Sequence, residues 1–205
     1  MKSARLRPDY RAILQWIRTG SSVLDLGCGD GELLELLVRE RGIRARGIEI
    51  NEQAIYRCVA RGLSVVHEDI EDGLAGYRDR SFDFVILYQS LQQVRKIDPV
   101  LREALRVGGR VIVGFPNFAH IGVRWQIAFR GRTPVTDALP YAWHDTPNLH
   151  FLSIQDFIAY CRERAIRIND KAMISGNRRV AMLPNLLAGT GIFLISNQGD
   201  SHGCP

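Results

Sequence analysis

The chain has 205 residues, 46% hydrophobic and 24% charged, with a formal net charge of +5. That size and balance suit one soluble domain with a single large core, and exclude a disordered or low-complexity chain. No apolar run reaches membrane-span length and no apolar segment follows the basic N-terminus, so neither a membrane partner nor a leader is expected and the chain reads as cytoplasmic. The basic residues are nearly all arginines, dispersed with no run longer than two, which reads as a solvated surface and argues against nucleic acid. Cys28, Cys58, Cys161 and Cys204 show no C-x-x-C spacing, so zinc, a redox motif and a disulfide framework are not expected.

Pro8 can open a helix over residues 8–18, with Tyr10, Ile13, Leu14 and Ile17 on one face. Residues 22–26 form a short apolar strand that runs into Gly27, Gly29 and Gly31. Leu33, Leu34, Leu36 and Leu37 then supply the apolar face of a helix over residues 32–40. A strand, a glycine turn and a helix place a ligand against bare backbone, beside free N–H groups at the helix start. The spacing is G-x-G-x-G, one residue short of the dinucleotide fingerprint, which disfavours nicotinamide cofactors. Asp25 stands two residues before Gly27, where an acid suits an ammonium group better than a pyrophosphate. Cys28 serves as a small neutral residue inside the turn. The D-x-G-x-G-x-G pattern resembles the first motif of the class I S-adenosylmethionine-dependent methyltransferases.

The second strand, residues 44–50, ends in Glu49 and Ile50. Glu49 lies twenty residues beyond Gly29, where a βαβ nucleotide site places the acid that binds ribose hydroxyls. Asn51 caps a helix to residue 61, and residues 63–67 form a third strand. In the methyltransferase pattern an acid after this strand bonds the adenine amino group and an apolar neighbour packs on the ring; Asp69 and Ile70 match. Residues 81–87 are a continuous apolar strand of the kind buried in a parallel sheet. Tyr88 follows at its end. Gln92 and Gln93 hold the places where many class I enzymes carry an acid or a histidine, and glutamine is no general base. Further strands are expected over residues 110–115, 166–172 and 191–196, with helices over residues 99–106 and 154–164, the latter capped by Ser153. Residues 175–189 read as a loop.

The alternation predicts an α/β fold: a doubly wound, seven-stranded, mostly parallel Rossmann-like sheet. It reads as a single domain over residues 1–196 with a long insertion at 115–152, followed by a disordered tail over 197–205. Ligands in such sheets sit beyond the carboxyl ends of the strands, at the switch between strands one and four.

The insertion is distinctive. It contains Phe115-Pro116-Asn117-Phe118-Ala119-His120 and Leu139-Pro140-Tyr141-Ala142-Trp143-His144-Asp145-Thr146-Pro147-Asn148-Leu149-His150. With Leu183-Pro184-Asn185-Leu186, these runs resemble the MetW family of methionine-biosynthesis proteins over nearly the whole chain. Gly114 stands before Phe115 where the family run begins with serine. The resemblance implies the class I fold, S-adenosylmethionine or S-adenosylhomocysteine as ligand, and a tie to homoserine O-acyltransferase, with acetyl or succinyl as the acyl group left open. The implied cofactor residues are Asp25, Gly27, Cys28, Gly29, Gly31, Glu49, Ile50, Asp69, Ile70 and Tyr88. His120, Tyr141, Trp143 and His144 are candidates for a substrate or partner surface, the aromatics forming a lid, a docking face or plain core. The histidine spacings do not suggest a metal. Two functions compete: a cofactor-binding partner or regulator of the acyltransferase step, and an active methyltransferase on a small molecule.

Overall fold

The computed structural model describes residues 6–72 and 74–199. Eight strands form one sheet in the order β3-β2-β1-β4-β5-β8-β6-β7. They are β1 Ser22–Leu26, β2 Arg44–Glu49, β3 Val65–His67, β4 Phe82–Tyr88, β5 Gly108–Pro116, β6 Ile166–Ser175, β7 Arg178–Arg179 and β8 Thr190–Asn197. Strands β1 to β5 pair in parallel, and β8 is antiparallel to both β5 and β6. The helices are α1 Pro8–Trp16, α2 Glu32–Arg41, α3 Glu52–Ala60, α4 Ile97–Val107, α5 Ile121–Arg130, α6 Ile154–Glu163 and the single turn α7 Pro184–Leu187.

Alternation along the strands divides the core between the two faces of the sheet. Leu24, Leu26, Val85, Leu87, Val111, Val113 and Phe193 pack with α4 and α6, through side chains such as Leu101 and Phe157. Val23, Phe84, Ile86, Ile112 and Ile192 pack with α1 and α2, through Ile13, Leu34 and Leu37. Asp25 has the parity of Val23 and so points to the α2 side. The cap signals hold: Asn51 Oδ1 accepts from Ala54 N at 3.0 Å, and Ser153 with Asp156 closes a reciprocal capping box.

Three sequence expectations change. The eighth strand arises because Gly176, at φ +52°, opens a two-residue turn that returns Arg178–Arg179 onto Ile174 and Ser175. Only two residues pair there, too few to show a period. Residues 121–130 form a helix where none was expected, since Val123 is its one buried side chain and no inward stripe marks it. Asn197 ends β8 instead of starting a tail; the expected tail over residues 200–205 lies outside the described residues. Among the described residues no helix is long and apolar enough to cross a membrane.

Gly31 shows how tightly the first βα unit is built. It has φ +78°, and a Cβ there would lie 2.4 Å from Leu63 Cδ1 and 2.9 Å from Cys58 Sγ. Gly31→Ala combines left-handed strain with overpacking, each on the order of 1–3 kcal/mol. Chemical denaturation should show the variant less stable by about 2–4 kcal/mol; an unchanged midpoint contradicts this packing.

Candidate functional site

A cavity of about 770 Å³ opens at the carboxyl ends of β1, β2 and β4, within the range of small-molecule sites. The turn after β1 forms its floor. Gly27 N and Cys28 N both donate to Ile48 O, at 2.8 and 3.1 Å. Gly29 N donates to Glu49 Oε2 at 2.8 Å, while Ile50 N and Asn51 N donate to Glu49 Oε1 at 3.0 and 2.9 Å. One carboxylate therefore ties the turn of β1 to the end of β2. Gly27 has φ +76°, and a Cβ would come within 2.8 Å of Ser90 Cβ, so only glycine lets the turns after β1 and β4 approach. Cys28 puts its sulfur where Gly47 lacks a side chain, 2.6 Å from the position of a Cβ; burial pushes its thiol pKa up.

Asp25 is 2% exposed, and its Oδ1 has no hydrogen-bond partner. Burial, reinforced by the negative charge of Glu49, pushes its carboxyl up to about 7. Glu68 Oε2 and Ser90 Oγ are likewise buried and unpartnered, and both residues line the same cavity. Buried polar atoms are normally satisfied, so three orphans around one cavity describe a site built for a ligand.

The wall toward the N-terminus comes from residues that no motif marks. Arg7 bonds Asp9 at 2.5 Å and lies 4.3 Å over the Tyr10 ring. Asp9 accepts from Tyr88 Oη, and Tyr10 Oη donates to Glu32 at 3.0 Å. Burial would raise the Asp9 carboxyl, but its bonds from Arg7 and Tyr88 hold it below the usual range. Burial and the charge of Asp9 push the Tyr88 phenol up. The Tyr88 ring packs against Gly114, whose missing Cβ would sit 2.4 Å from Cδ2. A serine at position 114 would displace this ring, which gives the glycine there a structural reason.

Asp25, Gly27, Cys28, Gly29, Glu49, Ile50, Asp69, Ile70 and Tyr88 all line the cavity. Ile50 is 61% exposed there. Gly31 does not line it, being packed under the turn against Leu63 and Cys58. His120, Tyr141, Trp143 and His144 do not line it either. His120 caps α5, its Nδ1 accepting from Gly122 N at 3.1 Å, and Trp143 is 73% exposed, so it is not core. The insertion reaches the cavity through Pro147 and Leu149 instead. Leu149 N and His150 N donate to Gln92 O, which fastens that loop to the turn after β4. Gln92 and Gln93 both donate from Nε2 to Gln89 O, at 2.8 and 2.9 Å, and so hold Gln89 at φ +62°.

A sheet of order 3-2-1-4-5 with an acid-floored glycine turn at its switch point is the Rossmann-like fold of the class I methyltransferases. Solved structures match it as a fold. A SAM-dependent methyltransferase from Archaeoglobus fulgidus superposes with TM-score 0.68 at 19% identity, covering 91% of this chain and 90% of that one. The [4+2]-cyclase SpnF superposes with TM-score 0.65 at 17% identity, covering 92% and 80%. Methyl transfer is thus not implied by the fold alone. The chain matches the family described as "Methionine biosynthesis protein MetW" over residues 7–195, and it belongs to that family. It is also 38% identical, over 161 residues, to the bifunctional methionine biosynthesis protein MetXA/MetW of Rhodopirellula baltica; the match covers 74% of this chain but only 26% of the fused protein.

The Asp25 carboxyl gives a stability test. It ionises near 3.8 when unfolded and near about 7 when folded. Between those values the folded chain holds the extra proton, so this group's contribution is full below pH 4 and is lost as pH rises toward 7, by up to about 1.4 kcal/mol per pH unit. Denaturation from pH 4 to 7 should show wild type losing stability relative to Asp25→Asn. Parallel curves contradict the burial argument.

Proposed function

We propose that the chain binds S-adenosylmethionine in this cavity and serves methionine biosynthesis as a partner or regulator of the homoserine O-acyltransferase step. The observation that carries the ligand reading is the unpartnered, buried Asp25 Oδ1 beneath the glycine turn. An ammonium group supplies both the hydrogen bond and the positive charge that this oxygen lacks. Glu49 retains lone pairs for ribose hydroxyls, Asp69 suits an adenine amino group, and Ile50 and Ile70 offer apolar surface to a ring. Arg7 is the cation at hand for a carboxylate. These donors and acceptors fit a nucleoside joined to an amino acid, and they offer no phosphate cradle.

The partner reading rests on the polar groups near the end of β4. A general base needs an uncommitted acceptor within reach of the reacting proton. The Tyr88 and Tyr10 hydroxyls donate to Asp9 and Glu32, and Gln92 and Gln93 are spent on Gln89 O. These two hydroxyls and two side-chain amides are thus engaged in holding the wall, which supports ligand binding over proton transfer at the end of β4. A relative in which a MetW part and a MetXA part share one polypeptide supports an assembly of the two.

The exposed aromatics Tyr141 and Trp143, in the segment that also supplies Pro147 and Leu149 to the cavity, are the docking face in this reading. Trp143 is the natural anchor, since buried tryptophans dominate interface energetics. Trp143→Ala should weaken co-elution with homoserine O-acyltransferase by about 2 kcal/mol or more, with the melting temperature unchanged because the side chain is already exposed. Undiminished co-elution removes Trp143 from the interface.

A further inference from the structure

We infer that the cavity selects its ligand by charge, taking the sulfonium S-adenosylmethionine well ahead of the neutral thioether S-adenosylhomocysteine. This rests on the ligand assignment above and asks which form of that ligand the site is built for. The lining carries seven carboxylates against two guanidiniums and no lysine. One of those cations, Arg7, is paired with Asp9 at 2.5 Å and shares its charge between that acid and any ligand carboxylate. The other, Arg95, is on the exposed rim.

The imbalance is greatest at the floor. Asp25 is 2% and Glu49 9% exposed, and among the described residues neither makes an ion pair. Glu49 is balanced by three backbone N–H dipoles; Asp25 lines the cavity and its Oδ1 has no hydrogen-bond partner. Glu68 Oε2 adds a second buried, unpartnered carboxylate oxygen. Placing anions together away from water leaves a field that a bound cation relieves, and that field acts more strongly in a shielded site than in solvent.

The two candidate ligands share the adenosine, the ammonium and the carboxylate. They differ by a methyl group and one positive charge. The sulfur is bonded to the ribose on one side and to the amino-acid chain on the other. A ligand with its ribose at Glu49 and its ammonium at Asp25 therefore carries that sulfur between the two acids. Burying a methyl group is worth about fourfold in affinity. A larger preference must come from charge. In most sites a lost methyl group changes little. Here the product of methyl transfer would leave the acid floor short of one cation. A chain with this selectivity reports the methyl donor itself and ignores the spent form.

Calorimetric titration of the purified full chain with S-adenosylmethionine, S-adenosylhomocysteine and sinefungin tests this. Sinefungin carries an amine-bearing carbon in place of the methylated sulfur, so it keeps the charge without the sulfonium. S-adenosylmethionine and sinefungin should both bind at least about tenfold tighter than S-adenosylhomocysteine. Asp25→Asn, an isosteric change at an oxygen with no hydrogen bond to lose, should shrink that ratio toward the methyl group's fourfold. Equal binding of S-adenosylmethionine and S-adenosylhomocysteine overturns the inference and leaves the ligand assignment standing. Sinefungin binding as weakly as S-adenosylhomocysteine, or an unchanged ratio in Asp25→Asn, also overturns it. Binding by none of the three overturns the ligand assignment itself.

Discussion

The site depends on one carboxylate, Glu49. It accepts from Gly29 N on one oxygen and from Ile50 N and Asn51 N on the other. These bonds join the turn after β1 to the entry of α3. Hydrogen bonds to a charged acceptor are each worth on the order of 1.5–3 kcal/mol. Among the three left-handed glycines of the turn, Gly29 points its amide at this anion, while Gly27 N bonds Ile48 O and Gly31 N bonds Cys28 O. The same group shapes the electrostatics: its charge adds to the burial that pushes the Asp25 carboxyl up. A change there loosens the turn and, under the proposed function, would also remove the acceptor for a ribose.

Around this floor, each wall has a different source. The β4 turn is held by two glutamines bonding one carbonyl. The insertion is tied to that turn through Gln92 O. The N-terminal segment closes the third side through Arg7, Asp9 and Tyr88. The same segment bears both cavity residues, Pro147 and Leu149, and the exposed Tyr141 and Trp143, so under the proposed function a ligand and a partner would share one loop. Coupling between them requires that the loop have two arrangements of different affinity.

Much of this was legible from residues alone. The β1–turn–α2 unit, the Asn51 and Ser153 caps, the mostly parallel sheet with its switch between strands one and four, and the positions of Asp25 and Glu49 follow from spacing, period and residue chemistry, while Asp69 and Ile70 were placed by the methyltransferase pattern. What was not legible has physical reasons. Helix α5 hides because Ile121, Trp125, Ile127 and Phe129 face solvent and leave no inward period. Asp9 and Tyr88 meet across 79 positions of sequence, so nothing near either residue announces the pair. Gly31 matches the cofactor pattern, yet the space it leaves is filled by Leu63 and Cys58. Gln92 and Gln93 read as absent chemistry, and their structural task emerges only once Gln89 is seen at positive φ.

The central claim is that Glu49 both pins the turn and receives the ligand. Calorimetry of S-adenosylmethionine with wild type and with folded Glu49→Ala tests it most directly. The account predicts affinity lower by about 1.5–3 kcal/mol, the value of bonds to a charged acceptor, together with a lower melting temperature from the three lost backbone bonds. Unchanged affinity and unchanged melting temperature in the variant would contradict it.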